Sequence, residues 1–336
     1  MPDLGGFGPA LIILIVLALA FDFINGFHDT ANAVATVIST RVMRPWTAIA
    51  LAGVLNFLGA LSGTEVAKTI GSGIVGASVP TGAIIAALAG AIAWNLLTWY
   101  YGIPSSSSHA LIGSLLGAGI ASLGFGSVHW NVLRDKVVLP LFLSPAAGFL
   151  IALFLMKLLI RIFANMPPAR VGPLFRRTQI VSASLMAFSH GSNDAQKTMG
   201  IITLGLLSAG VIHEFHVPAW VLMSCAVAMG LGTLAGGRRI IHTMGTRFAH
   251  LEPIHGFAAE SSAAAVIQVA SHLGSPLSTT HVISSCILGV GAARRLNAVR
   301  WGVARTMVSA WFLTIPISAA LGFVVAFLER AIFGPG

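Results

Sequence analysis

Four short stretches of this chain hold side chains that could handle ions. The first is Phe23-Ile24-Asn25-Gly26-Phe27-His28-Asp29-Thr30-Ala31-Asn32, and its partner is Phe188-Ser189-His190-Gly191-Ser192-Asn193-Asp194-Ala195-Gln196-Lys197. Phe, Gly and Asp recur between them at a shift of 165 residues. The other pair is Pro104-Ser105-Ser106-Ser107-Ser108-His109 and Pro276-Leu277-Ser278-Thr279-Thr280-His281, at a shift of 172. A proline favours the first turn of a helix, and Ser or Thr there caps it. The free N–H groups and the positive end of the helix dipole then face an anion. Six hydroxyls (Ser106, Ser107, Ser108, Ser278, Thr279 and Thr280) supply enough donors to replace the hydration shell of a tetrahedral oxyanion. Their plainer role would be to join helices by hydrogen bonds. Two matching clusters, each opening with Pro and closing with His, favour a site. His109 and His281 are candidate proton carriers, with capping or packing as the equal alternative.

The segments that must position these residues are apolar. Of 336 residues, 56% are apolar and only 9% charged, and the mean hydropathy is +0.89. A soluble domain carries about a quarter charged residues. Several runs, clearest at 45–63, 81–101, 139–163, 217–235 and 306–329, approach or exceed the roughly 18–20 residues that cross a bilayer as a helix. They lack the alternation of barrel strands. The chain is therefore expected to be an all-α integral membrane protein. Its first apolar segment has no basic flank and runs on into a polar motif, so it is read as a retained helix rather than a signal peptide.

Charge inside such segments is costly, at least about 2.5–3.5 kcal/mol per residue at a helix centre. Asp22, Asp29, Asp194 and Glu260 nevertheless lie in apolar segments, with Lys197 as the basic residue among them. A structural pair of Asp194 with Lys197, one helical turn apart, is the bland reading. The matching places of Asp29 and Asp194 in two repeats favour function. Asp22 and Glu260 have no such match, and function and structure weigh equally for them.

The duplication organises the whole chain. Five crossings in the first half (8–40, 45–63, 81–101, 104–125, 139–163) invert the second copy (178–208, 217–235, 254–273, 275–291, 306–329). The domains are 1–165, a cytoplasmic linker at 166–177 and 178–336. The net charge of +9 gathers at Arg41 and Arg44, at 157–177, at Arg238, Arg239 and Arg247, and at 294–305. With the N-terminus outside, all four clusters fall in the cytoplasm, as the positive-inside rule requires. This charge is read as topology, with no nucleic-acid partner; the linker arginines are solvated or touch anionic lipid. The segments opening at Pro104 and Pro276 follow Gly102 and Gly274, and are expected to be broken and hairpin-like at a central site. Such backbone is tolerated at membrane depth where it lines a cavity, and inverted repeats around a central site mark secondary transporters.

Other chemistries fit poorly. A membrane hydrolase needs one positioned nucleophile and an oxyanion hole, whereas the hydroxyls here are redundant, and Gly76-Ala77-Ser78 lacks a following Gly. No phosphate-binding loop of the Gly-x-x-x-x-Gly-Lys-Ser/Thr type occurs. Cys225 and Cys286 stand alone in apolar segments and read as buried thiols. Neither an enzyme nor a resident metal or cofactor is expected.

The sequence resembles the inorganic phosphate transporter (PiT) family over essentially its whole length. The resemblance rests on the repeated Asn-Asp-like motif, above all His190-Gly191-Ser192-Asn193-Asp194-Ala195-Gln196-Lys197, and on Trp94-Asn95, Gly102-Ile103-Pro104 and the two hydroxyl clusters. The second copy looks like the form in bacterial proton-coupled members. It implies a paired-repeat symporter in the inner membrane that holds phosphate between hairpin tips and aspartate motifs. The substrate-binding set is then Asp29, Asn32, Ser106, Ser107, Ser108, Asn193, Asp194, Gln196, Lys197, Ser278, Thr279 and Thr280. The coupling set is Asp22, Asn25, His28, His109, His190, Glu260 and His281. Two departures bear on coupling. Lys197 stands where sodium-coupled relatives tend to carry Asn, and Asn56 lies where they tend to carry Glu. These point to protons, with phosphate travelling alone or as a neutral complex with a divalent cation. A sulfate permease of the same fold and a passive anion channel are the alternatives. The oligomeric state is open between monomer and homo-oligomer.

Overall fold

A polypeptide in hydrocarbon must satisfy its own N–H and C=O groups, and this chain does so almost wholly with helices. The computed structural model describes residues 8–75, 79–237, 240–241, 243–244, 251–294 and 299–333. In chain order come α1 (Pro9–Ser39), α2 (Pro45–Ala60), the short α3 (Glu65–Lys68) continued by a π-helical turn (Thr69–Gly73), α4 (Thr81–Tyr101), α5 (Ser107–Leu123), α6 (Trp130–Leu133) and α7 (Leu139–Phe163). The second half holds α8 (Pro168–Ser208), α9 (Ala219–Ala235), α10 (Pro253–His272), α11 (Thr279–Arg294) and α12 (Trp301–Phe333). Among the described residues no strand forms, beyond one isolated bridge between Val75 and Val128. Arg238, Arg239, Arg247 and Arg295 lie outside the described residues.

The burial pattern is inside-out relative to a water-soluble protein. Asp22, His28, Asn56, Asn193, Asp194 and Glu260 are fully buried, while Val16, Leu143, Phe154, Leu185 and Phe327 are exposed. Four helical stretches, 9–39, 81–101, 130–163 and 304–332, are long and apolar enough to cross a membrane. The run expected at 45–63 is a bent pair, 45–60 and 65–73, turning through 66°. The crossings expected at 104–125, 217–235 and 275–291 are shorter apolar helices, 107–123, 219–235 and 279–293. α8 and α10 fall outside this apolar class because they bury Gln179, His190, Asp194, Lys197 and Glu260 against protein rather than lipid.

The stretch 166–177 differs from the expected linker. It is helical from Pro168 onward and forms the first turns of α8, with Pro168 at the helix start where a missing N–H costs nothing. Arg176 donates to the Arg41 carbonyl at 2.9 Å, tying the second half to the α1–α2 turn. Further hydrogen bonds tie the connections together: Thr243 to the Gly102 carbonyl at 3.1 Å, Lys136 to Leu273 at 2.9 Å, Ser208 to Val79 at 2.8 Å, and Arg330 to Ala121 and Ser122 at 2.8 and 2.7 Å.

Packing between the halves is reciprocal. α5 lies against α12 and α11 against α7, while α2 lies against α8 and α9 against α1. The motif glycines make the close crossings possible. A Cβ at Gly191 would fall 2.2 Å from the Asn56 carbonyl oxygen, and one at Gly26 would fall 2.6 Å from that of Met229. On the opposing helices, Gly59 meets Phe188 and Gly232 meets Phe23, each at 2.1 Å by the same measure. Gly232→Ala should therefore cost about 1–3 kcal/mol, as overpacking does, and lower the melting temperature in detergent. Gly172→Ala, with nothing within 4 Å, should leave it unchanged. Equal melting of the two variants would refute a tight α1–α9 crossing.

Candidate functional site

Two helix breaks build the centre. α4 ends at Gly102, whose φ of 65° is left-handed, and α10 ends before Gly274, with φ of 64°. The chain then bonds back onto the helix it leaves: Ile103 N–H donates to the Thr98 carbonyl at 2.9 Å, and Ser275 N–H to that of Ala270 at 2.8 Å. Such closures are typical of glycine-terminated helices. Pro104 and Pro276 prevent immediate continuation. Each segment is a short extended strap followed by a single helix. The hairpin consists of that helix packed on its predecessor, α4 with α5 and α10 with α11.

The six hydroxyls divide into three matched pairs. Ser106 and Ser278 are caps, accepting from the N–H groups of His109 at 3.1 Å and His281 at 3.3 Å. Ser107 donates to Asp29 Oδ2 at 2.8 Å, and Thr279 donates to Asp194 Oδ2 at 3.1 Å. Ser108 and Thr280 accept from the opposite half: Lys197 reaches Ser108 at 2.5 Å, and Asn32 reaches Thr280 at 2.9 Å. Asn32 and Lys197 are counterparts at the 165-residue shift. The same bridge between halves is thus an amide on one side and an ammonium on the other.

The aspartates differ accordingly. Asp29 Oδ1 lies 2.6 Å from His28 Nδ1. Asp194 Oδ1 accepts from the Lys197 ammonium, which also donates to the Leu277 carbonyl at 3.0 Å. His190 Nε2 stands 3.2 Å from Asp194 Oδ2 without hydrogen-bond alignment. Between the strap helices the His109 and His281 rings are 4.8 Å apart, and His281 stacks on Trp311 at 4.2 Å.

Other expected site residues act as braces. Asn193 donates to Ser271 Oγ at 2.8 Å and to the Ser275 carbonyl, holding the second strap. Gln196 accepts from Val66 N–H at 2.8 Å and fixes the start of α3, away from the aspartates. Glu260 forms a separate cluster, accepting from Thr36, Ser182 and Gln179. Asn25 is buried with its Oδ1 unbonded. Two supporting residues, Thr98 and Thr233, escaped the sequence reading. Thr98 bonds His28 Nε2 at 3.1 Å and Ser105 at 2.9 Å. Thr233 takes the Asn56 amide at 3.0 Å, while Asn56 Oδ1 meets His190 Nδ1 at 2.9 Å. Their sequence signal is faint: single polar residues within apolar helices.

The centre is closed. None of the aspartates, hydroxyls, Asn32 or Lys197 is more than 3% exposed. Asp29, His190 and Asp194 can each bring one ligand atom to within 4.8 Å of the others. Two carboxylates and an imidazole are a donor set for a cation, and the hydroxyl tips beside them suit an oxyanion.

Known proteins match the chain along most of its length. The profile of the phosphate transporter family matches twice, at residues 25–169 and 163–322. The chain belongs to the phosphate transporter family. It is 50% identical to a "probable low-affinity inorganic phosphate transporter" of Rhizobium meliloti (strain 1021), over 95% of this chain and 96% of that one. It is 48% identical to a protein of the same description in Bacillus subtilis (strain 168), over 96% and 98%. A solved structure described as "The sodium-dependent phosphate transporter" superposes with a TM-score of 0.85 at 26% identity, covering 97% of this chain and all of the other. The protein is accordingly a multi-pass membrane protein from a family of transporters, not an enzyme.

Removing Lys197 should expose the cost of the buried pair. Lys197→Met leaves Asp194 uncompensated and should destabilise by about 3–5 kcal/mol. Adding Asp194→Asn should restore most of the loss, a coupling readable from melting temperatures of the single and double variants. Additive losses would mean that the two side chains do not compensate each other.

Proposed function

We propose that this protein is a secondary transporter that carries inorganic phosphate with protons across the inner membrane by alternating access. The observation that carries the reading is Lys197. Its ammonium joins Asp194, Ser108 and the second strap where the other half has the neutral Asn32. A fixed cation there supplies the positive charge that a bound sodium ion would otherwise bring, so the sodium dependence of the structural relative is not carried over.

Phosphate is favoured over sulfate on hydrogen-bonding grounds. Near neutral pH phosphate keeps a proton and can donate to Asp29 or Asp194; sulfate has none to give and is repelled. The hydroxyls of Ser107, Ser108, Thr279 and Thr280 and the N-termini of α5 and α11 face the remaining oxygens. Alternating access draws support from the closed centre and the reciprocal packing, which fit two inverted repeats rocking about a fixed site. A passive channel fits a closed centre less well.

A second reading is favoured by the Asp29, His190 and Asp194 group, whose spacing suits a cation. Here phosphate would travel as a neutral complex with a divalent metal. Labelled phosphate uptake into proteoliposomes under an imposed proton gradient tests both. Uptake should be indifferent to sodium, should resist excess sulfate, and should fall about tenfold or more in Asp194→Asn, in line with loss of a charged hydrogen bond. A further loss on chelating divalent cations would select the metal–phosphate form. Sodium-driven uptake without response to protons would reject the coupling proposed here, and sulfate uptake in its place would reject the substrate.

A further inference from the structure

Every other buried carboxylate of the described residues is held by donors. Asp29 has His28 and Ser107, Asp194 has Lys197 and Thr279, and Glu260 has Thr36, Ser182 and Gln179. Asp22 has only the neighbouring Thr198 hydroxyl, and no charged donor: it is 0% exposed, and among the described residues neither of its oxygens lies in well-formed hydrogen-bond geometry. An ionised carboxylate so enclosed would cost several kcal/mol or more. A carboxylic acid that keeps its proton avoids that cost.

We infer that Asp22 is a proton-binding site, the membrane-embedded acid that loads and releases the coupled proton. The inference rests on the proposed proton-coupled transport. Asp22 lies two helical turns before Asp29 on α1, hence on the same face. The Thr198 hydroxyl is its polar neighbour, near enough to donate weakly, and follows Lys197 directly on α8. A shift of α8 against α1 would therefore move both the Lys197 bridge and the surroundings of Asp22.

The charged and titratable groups facing Asp22 are few. α8 presents Asp194 and Lys197, already paired with each other, and α9 presents the thiol of Cys225. α2 has no titratable side chain, and α4 has only Tyr100 and Tyr101 at its far end. His109 on α5, His281 on α11 and Glu260 on α10 belong to helices that meet α1 further along, near Asp29, Asn32 and Thr36. With the pair of Asp194 and Lys197 neutral overall, a neutral Asp22 leaves its surroundings uncharged. In the cycle, an opening to outer water lets the carboxylate take a proton from hydronium, forming an O–H bond. Closure carries the acid as a neutral group, and opening to the cytoplasm breaks that bond, returning the proton to water.

Two readouts on Asp22→Asn and Asp22→Glu test this. Infrared spectra of the purified protein should contain the carbonyl stretch of a protonated carboxylic acid; Asp22→Asn should lack it and Asp22→Glu should restore a shifted band. In proteoliposomes, a gradient of about one pH unit sustains about tenfold accumulation per coupled proton. Asp22→Asn should equilibrate phosphate without accumulating it, while still exchanging internal for external phosphate; Asp22→Glu should accumulate. An unchanged infrared band in Asp22→Asn, or full accumulation by that variant, would overturn the inference. So would loss of exchange and accumulation in both variants with melting temperatures intact, which would mark a packing role. A wild type that moves no phosphate, with the band still lost in Asp22→Asn, would overturn the transport reading and leave the proton site standing.

Discussion

Asp29 and Asp194 sit where water cannot solvate them, and the rest of the structure is arranged around their neutralisation. A buried carboxylate is tolerated when donors and a counter-charge surround it. Here the donors come from helix N-termini that exist only because α4 and α10 stop at Gly102 and Gly274. The straps bring Ser107 and Thr279 onto the aspartates, and α5 and α11, which follow the straps, pack reciprocally on α12 and α7. Close crossings at Gly26 and Gly191 let α9 and α2 lie against the backbone of the motif helices. The site and the fold are therefore one set of contacts.

How much of this was legible in the sequence depended on contrast. Asp29, Asp194 and Lys197 stand out in an apolar chain because charge there demands a partner. The repeated Pro–hydroxyl–His runs stand out because a proline before hydroxyls marks a helix start. What a hydroxyl does there was not legible. Ser106 and Ser278 look like Ser107 and Thr279 in sequence, yet they are spent on the N–H groups of His109 and His281. One step along a helix turns a side chain through about 100°, enough to separate a cap from a ligand. Gln196 and Asn193 were equally ambiguous, since an amide braces backbone as readily as it binds an ion; here they brace α3 and the second strap. The stretch 166–177 reads as a linker by composition, but Pro168 begins a helix as easily as it ends one.

Lys197 breaks the symmetry that organises everything else. Ser107 with Asp29 mirrors Thr279 with Asp194, and Asn32 with Thr280 mirrors Lys197 with Ser108, except in charge. The first half sets a histidine against its aspartate, the second an ammonium. A centre built this way has two unequal ends even though the backbone treats them alike.

That inequality bears on how a transporter of this design is driven. An unbranched ammonium on a flexible stem can follow an anion, whereas an amide at the same place can only point a dipole. In the proposed cycle, phosphate arriving at the hydroxyl tips competes with Asp194 for Lys197. Any loosening of that pair changes the field at Asp22, which shares Asp194 and Lys197 as its charged neighbours. Substrate and proton would then be linked through one side chain, without a relay of residues between distant sites. The linkage is reciprocal by thermodynamic necessity: a proton on Asp22 that favours the closed pair must alter the affinity for phosphate by the same factor that phosphate alters the affinity for the proton.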